Sequence, residues 1–339
     1  MRHRALAFPR DHGAHPDYQT EWWYVTGHAG GNDDAPAFGF QITFFRTRVE
    51  QTQDLKSSLA ARQLLFAHAA VTDVAGKKLW HDQRIARWSG SPPSALSADF
   101  ASASIETTDV VLRDWSLKRN GAVLQANIAA TEFALDLRFT PTQPLLLQGE
   151  QGYSQKGPQA SEASCYYSEP QLQAQGTLTL GRKAHAVGSG SRAWLDHEWS
   201  HAMLPAGAVG WDWIGINLFD GSALTAFQLR DAQGQALWDG GSFRSATQTQ
   251  TFPRGATRFT QKRRWTSPAH NASYPVEWTV QTPAAHYTVK ALVDNQELDS
   301  RQSTGAIYWE GLCAVYDQQA QRVGLGYLEM TGYAAPLQL

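Results

Sequence analysis

Apolar positions along this chain recur with period two. Phe38, Phe40, Ile42 and Phe44 fall on one side of an extended segment, and Gly39, Gln41 and Thr43 fall on the other. Successive side chains of a strand point to opposite faces, so this pattern marks a half-buried strand. The same alternation predicts strands over 122–129, 133–139, 176–180, 224–229, 287–293 and 324–330. Asn120-Gly121, Asp220-Gly221 and Asp239-Gly240 predict tight turns, because these dipeptides accept the positive φ that hairpin turns need. Only residues 54–63 suggest a helix. The expected fold class is all-β.

The pattern also repeats. Glu21-Trp-Trp-Tyr-Val-Thr-Gly27, a Gly/Asn/Asp turn and Ala37 to Arg46 describe one hairpin. Gly210-Trp-Asp-Trp-Ile-Gly215, the turn at Asp220-Gly221 and Ala226 to Arg230 describe a second of the same design. With 339 residues, two similar all-β units fit the length. The expected division is 1–190 and 191–339, at the loose Gly188-Ser-Gly190 stretch, which reads as a linker. About eight strands in each would make a barrel that fills itself or holds one small ligand.

Candidate chemistry concentrates in Trp194-Leu-Asp-His-Glu-Trp-Ser-His201 and the following Gly210-Trp-Asp-Trp213. Asp196, His197 and Glu198 lie among large aromatic rings, where charge is costly unless paired and pKa values shift. Asp212, between Trp211 and Trp213, shares the face of Ile214 and Ile216, and a carboxylate on an apolar face is a functional candidate. On a strand, Leu195, His197 and Trp199 share one face, and Trp194, Asp196 and Glu198 the other. The expected arrangement has His197 and Trp199 lining a pocket, with Asp196 or Glu198 paired behind them.

His197-Glu-Trp-Ser-His201 also spells the H-E-x-x-H zinc-protease pattern. That motif needs a helix, which would put both imidazoles on one face. Gly188, Gly190, Pro205, Gly207 and Gly210 around it, and the tryptophans within it, argue for strand instead. No cofactor or metal is expected.

Bulk properties narrow the rest. A net charge of −2 leaves no basic footprint for nucleic acid. No run of 18 apolar residues occurs, so no transmembrane segment is expected. Met1-Arg-His-Arg-Ala lacks the apolar core of a signal peptide, leaving a cytoplasmic protein or a trimmed leader as the two readings. Cys165 and Cys313 could form one bridge, although two buried thiols are the expectation.

Six dispersed motifs then carry a resemblance. Glu21-Trp-Trp-Tyr-x-Thr-Gly27, Phe38-Gly-Phe-Gln-x-Thr-Phe-Phe-Arg46 and His68-x-Ala-x-x-Asp73 are three of them. Trp194-Leu-Asp-His-Glu-Trp-Ser200, Gly210-Trp-Asp-Trp213 and Tyr308-Trp-Glu-Gly311 are the others. Together they resemble the carotenoid 1,2-hydratase and AttH-like family of lipocalin-like proteins. The resemblance implies tandem calycin-type barrels, a periplasmic or secreted location, and a hydrophobic lipid or isoprenoid ligand. It also raises a transport-system partner as a candidate. Asp196, His197 and Trp199 match the Asp-His-x-Trp element of the hydratases, whereas Thr225-Ala-Phe-Gln-Leu229 lacks their Tyr-x-Asp. Glu21, Trp23, Tyr24, His68, Tyr308, Trp309 and Glu310 join Trp199, Trp211 and Trp213 as expected ligand-binding residues. Four functions follow as alternatives: a lipid or isoprenoid binder, a hydratase-, isomerase- or cyclase-like enzyme, a transport scaffold, and a zinc hydrolase.

Overall fold

The computed structural model describes residues 4–32, 35–57, 59–90, 101–202 and 204–337, and in it every predicted strand forms. The first sheet has 14 strands. Its main path runs Lys78–Trp88, Gln63–Asp73, Ala35–Arg48, Thr20–Asn32, Arg192–Ser200 and Ala163–Leu180. It continues through Phe133–Thr140, Val123–Ala129, Trp115–Asn120, Asp109–Leu112 and Ala101–Ala103. All these pairings are antiparallel. The path curls until its first strand meets the far end of the meander. There the Arg84 guanidinium lies 4.7 Å from the Trp115 ring, and Asp82 accepts a bond from the Thr131 amide. The second sheet has 10 strands and includes Ala223–Arg230, Gly210–Leu218, Arg322–Met330 and Ala306–Tyr316 as neighbours in that order. The fold is two tandem lipocalin-like barrels, each with more strands than the eight expected.

Four local expectations change. The described residues of 54–63 are not helical; the nearby local structure is a single 3-10 turn at Glu50–Thr52. Gln53 and Thr52 side chains bond the carbonyls of Val49, Ala61 and Arg62, a local alternative to helix hydrogen bonds. Asp239-Gly240 is not a turn but the middle of strand Ala236–Arg244. Gly240 there makes room for the Phe227 ring, and Gly241 takes φ 152° where a side chain would strike the Thr225 carbonyl. Gly188 to Gly190 is the turn between Lys183–Val187 and Arg192–Ser200, not a linker. Arg192–Ser200 pairs with Thr20–Asn32 and Ala163–Leu180, so the first sheet extends through residue 200 and the chain crosses to the second after it.

Both barrel interiors are filled. Trp23, Val25, Phe40, Ile42, Phe44 and Leu195 belong to the first core; Ile214, Ile216, Trp278, Trp309 and Leu328 belong to the second. A third apolar cluster, including Tyr24, Trp194, Trp213, Phe227, Leu312 and Tyr327, joins the outer faces of the two barrels. Polar bonds cross the same seam. Thr72 donates to Gln296, and the Asn217 amide donates to the Ala193 carbonyl. At a bulge in Ala163–Leu180, Gln171 (φ 56°) reaches Asn217, Leu218 and Ser222. Gly39 permits the close approach, since a Cβ there would lie 2.7 Å from the Tyr327 hydroxyl. Cys165 and Cys313 are free, buried thiols, one in each sheet. Among the described residues no helix is long and apolar enough to cross a membrane.

Candidate active site

Strand Arg192–Ser200 runs between two neighbours and is buried on both faces. Its alternation sends His197 and Trp199 one way and Asp196 and Glu198 the other. The outcome reverses the expected arrangement: His197 and Trp199 point away from the cavity, and the two acids face it.

On the His197 side, Nε2 is 2.9 Å from Glu21 Oε1 and Nδ1 is 3.2 Å from the Tyr167 hydroxyl. Glu21 also meets His15 Nδ1 at 2.7 Å and accepts from Arg46 Nε at 2.8 Å. Arg46 further donates to Gln63 and to the carbonyls of His15 and Tyr18. His15 Nε2 in turn meets Asp11 at 3.0 Å. The group is fully buried. Burial pushes the Glu21 carboxyl up, but the His15 and Arg46 charges and hydrogen bonds outweigh it and hold it well below the usual range. Burial lowers His197 to about 4, against a partial offset from Glu21, so this imidazole is neutral at pH 7.

His15, Glu21 and His197 are donors gathered within 4.8 Å of one another, close enough to face one ion. Their atoms are already engaged with each other, Arg46, Asp11 and Tyr167, and the Arg46 cation sits on the shared carboxylate. They read as architecture. His201, the second histidine of the zinc-like pattern, lies past the strand end, exposed and stacked on Tyr18, and Glu198 faces opposite to His197. The pattern does not assemble, because i and i+4 in a strand stand roughly 13 Å apart rather than one helical turn.

On the other side lies a cavity of about 300 Å³, in the seam between the barrels rather than inside either one. The first barrel contributes Trp22, Tyr24, Phe45, Phe66, His68, Tyr166, Asp196 and Glu198; the second contributes Trp211, Trp213, Phe227, Tyr308, Glu310 and Glu329. Trp22 stacks with Trp211 across the gap at 6.5 Å, and Tyr24 meets Trp213 edge-on at 5.4 Å. Volume, aromatic walls and a few converging polar groups are the attributes of a small-molecule site.

Four carboxyls enter this cavity. Burial raises Asp196 to about 7, although it accepts bonds from Ser168 Oγ at 2.5 Å and Trp194 Nε1 at 2.7 Å. Glu198 is bonded by Ser164 and paired with Lys156 Nζ at 3.0 Å. Lys156 also sits 4.2 Å from the Phe227 ring centre. Glu310 and Glu329 oppose each other on adjacent strands, and burial raises both, Glu310 further through the Glu329 charge. His68 is held between the Tyr308 hydroxyl and Ser303 Oγ, each at 2.8 Å, and burial lowers it to about 3, so it stays neutral.

Of the expected site residues, the cavity collects Tyr24, His68, Asp196, Glu198, Trp211, Trp213, Tyr308 and Glu310. Glu21, Trp23, His197, Trp199, Asp212 and Trp309 lie on the opposite faces of the same strands. Trp23 and Trp309 are core. Asp212 is tied to Gln228, Arg230 and Tyr333. Trp22, Lys156, Tyr166, Phe227 and Glu329 were not foreseen. Strand parity could have supplied Trp22 once Tyr24 was chosen; Lys156 and Glu329 carry no local signal.

Against this geometry, the chain matches the AttH-like family over residues 1–333. It belongs to the AttH-like family. A candidate AttH protein from Nitrosomonas europaea is 43% identical, with 98% of each chain covered and a TM-score of 0.87. Kievitone hydratase from Nectria haematococca shares the fold at 15% identity, covering 98% of this chain and 94% of its own, with a TM-score of 0.69. CghA does so at 11% identity, covering 95% and 89%, with a TM-score of 0.56. Among curated proteins nothing matches the chain.

Proposed function

We propose that this AttH-like protein binds a hydrophobic lipid or isoprenoid molecule between its barrels and adds water to a carbon–carbon double bond in it by acid catalysis. The observation that carries this reading is Asp196. It is a carboxyl on an aromatic cavity whose raised pKa leaves a large fraction protonated at neutral pH. A carboxylic acid near neutrality is a competent proton donor, as in enzymes that use burial for this purpose. Protonating an alkene creates a carbocation, and the faces of Trp211 and Trp213 can stabilise it. Glu198, paired with Lys156 on the same cavity, would orient the incoming water. The fold shared with kievitone hydratase is consistent with such chemistry.

Native mass spectrometry of gently purified protein tests the reading. A bound species of a few hundred daltons that extracts into organic solvent, and that gains 18 Da on incubation with the wild type but not with Asp196→Asn, supports it. A bound species hydrated equally by both proteins removes Asp196 as the acid. A protein that carries no apolar species and takes up no lipid or isoprenoid probe overturns the binding itself.

A further inference from the structure

Glu310 lies on strand Ala306–Tyr316 and Glu329 on strand Arg322–Met330, directly opposite each other in an antiparallel ladder. Opposed residues in such a ladder have Cβ atoms about 5 Å apart and project from the same face. Both line the seam cavity. No ion pair to either carboxyl occurs among the described residues; the one lysine of the cavity is engaged by Glu198. Glu310 is 3% exposed, and its Oε1 has no hydrogen-bond partner among the described residues. The Tyr24 hydroxyl lies beside Glu310 and favours its ionised form.

Two like charges at this separation, out of water and without a counter-cation, cannot both persist. We propose that Glu310 and Glu329 hold a single proton between them across the neutral range and form the cavity's second proton-donating and proton-accepting unit, distinct from Asp196. This deepens the hydration reading of the same cavity and rests on it for its catalytic meaning.

The charged groups facing the pair favour its protonated form, whereas its hydrogen-bond donors oppose this, the Tyr24 hydroxyl favouring ionised Glu310. Asp196 and Glu198 act on Glu329 as like charges that favour its protonated form, while the Trp211 indole favours the ionised one. Tyr24, Tyr308 and Tyr327 are all raised by burial and then by the acidic neighbours, so they remain neutral donors. Among the described residues that line the cavity, Lys156 is the one lysine or arginine, and it sits on Glu198.

Side-by-side carboxyls explain how one turnover would restore the site. Asp196 gives its proton to one alkene carbon, the π pair forming the new C–H bond and leaving the neighbouring carbon positive. The oxygen of water bonds to that carbon, and the surplus proton of water passes to the Glu329 carboxylate. The pair then returns a proton to Asp196, so alkene and water become alcohol with no net change in Asp196 or in the pair. Tyr24, beside Glu310, faces the same cavity.

The test needs no substrate. The full-length protein, labelled with ¹³C at glutamate Cδ, is titrated by NMR from pH 4 to 10, with inorganic buffers only. Two resonances should titrate in two steps separated by more than about one pH unit. In Glu329→Gln, Glu310 should become a single step moved down by a unit or more, and Glu310→Gln should do the same to Glu329. If either single variant fails to fold, the reciprocal one decides. Resonances that titrate independently near the ordinary carboxyl value, or a Glu310 midpoint unmoved in Glu329→Gln, overturn the proposal. Ligand capture by native mass spectrometry is unaffected by that outcome, so the two readings fail separately.

Discussion

The two faces of strand Arg192–Ser200 make the most instructive comparison in the molecule. Both are buried and both carry ionisable groups from one tripeptide, Asp196-His197-Glu198. On one face His197 joins Glu21, His15, Asp11 and Arg46, where carboxylates meet cations and imidazoles at 2.7–3.0 Å. On the other, Asp196 stands with Glu310 and Glu329 in an aromatic cavity supplied with one lysine. The first face compensates its charges; the second leaves them unbalanced, and its acids keep protons instead. Desolvation is common to both. Partners decide whether it yields a structural pin or a protonated acid.

The sharpest way to break this comparison is to unbalance the compensated face. Glu21→Ala leaves Arg46 buried without its carboxylate and should cost about 3–5 kcal/mol, read from urea unfolding monitored by tryptophan fluorescence. A loss below about 1 kcal/mol would show that the Arg46 bonds to carbonyls suffice.

The opposite face should respond with the opposite sign. Asp196 has a native pKa raised to about 7 from its ordinary 3.8, so the native state binds more protons than the unfolded one between these values. Its ionisation therefore penalises the fold progressively as pH rises through that window, and the penalty is complete above about pH 7. Asp196→Asn should be on the order of 2–4 kcal/mol more stable than wild type at pH 8. The gain should vanish near pH 4, while hydration activity is lost. A variant less stable than wild type at pH 8 would mean that the Ser168 and Trp194 bonds outweigh desolvation.

The aromatic walls should matter for ligand more than for fold. Trp213→Leu removes a ring that meets both Tyr24 and Trp194. Loss of such ring contacts, at about 0.5–1.5 kcal/mol, should weaken capture of an apolar ligand roughly tenfold at the upper end, measured by quenching of the remaining tryptophans. Smallest of all, His201→Ala deletes the second histidine of the zinc-like pattern at an exposed position. Stability should stay within about 0.5 kcal/mol and hydration should be unchanged; a collapse of activity would reopen the metal reading.

Much of the fold was legible because its signals are local. Period-two runs such as Phe38 to Phe44 mark strands, and Asn120-Gly121 and Asp220-Gly221 close hairpins where expected. The repeated hairpin carries further than its backbone. Glu21–Arg46 and Asp212–Arg230 are corresponding buried ion pairs, each with the arginine near the end of the second strand. Asp239-Gly240 misled because a glycine needed for the Phe227 ring looks, in one dimension, like a glycine needed for a turn.

The candidate site was only half legible, and the division has a physical cause. The sequence by itself determined which residues alternate together: Tyr24 apart from Trp23, Asp196 and Glu198 apart from His197, Tyr308 and Glu310 apart from Trp309. It could not say which of the two faces meets a cavity, since both faces of these strands are apolar and buried. Only the packing of one barrel on the other decided that. By filling each interior with its own side chains, the fold left the free volume at the seam. There acids from strands more than a hundred residues apart share one low-dielectric space, and their protonation depends on distances that no local sequence pattern encodes.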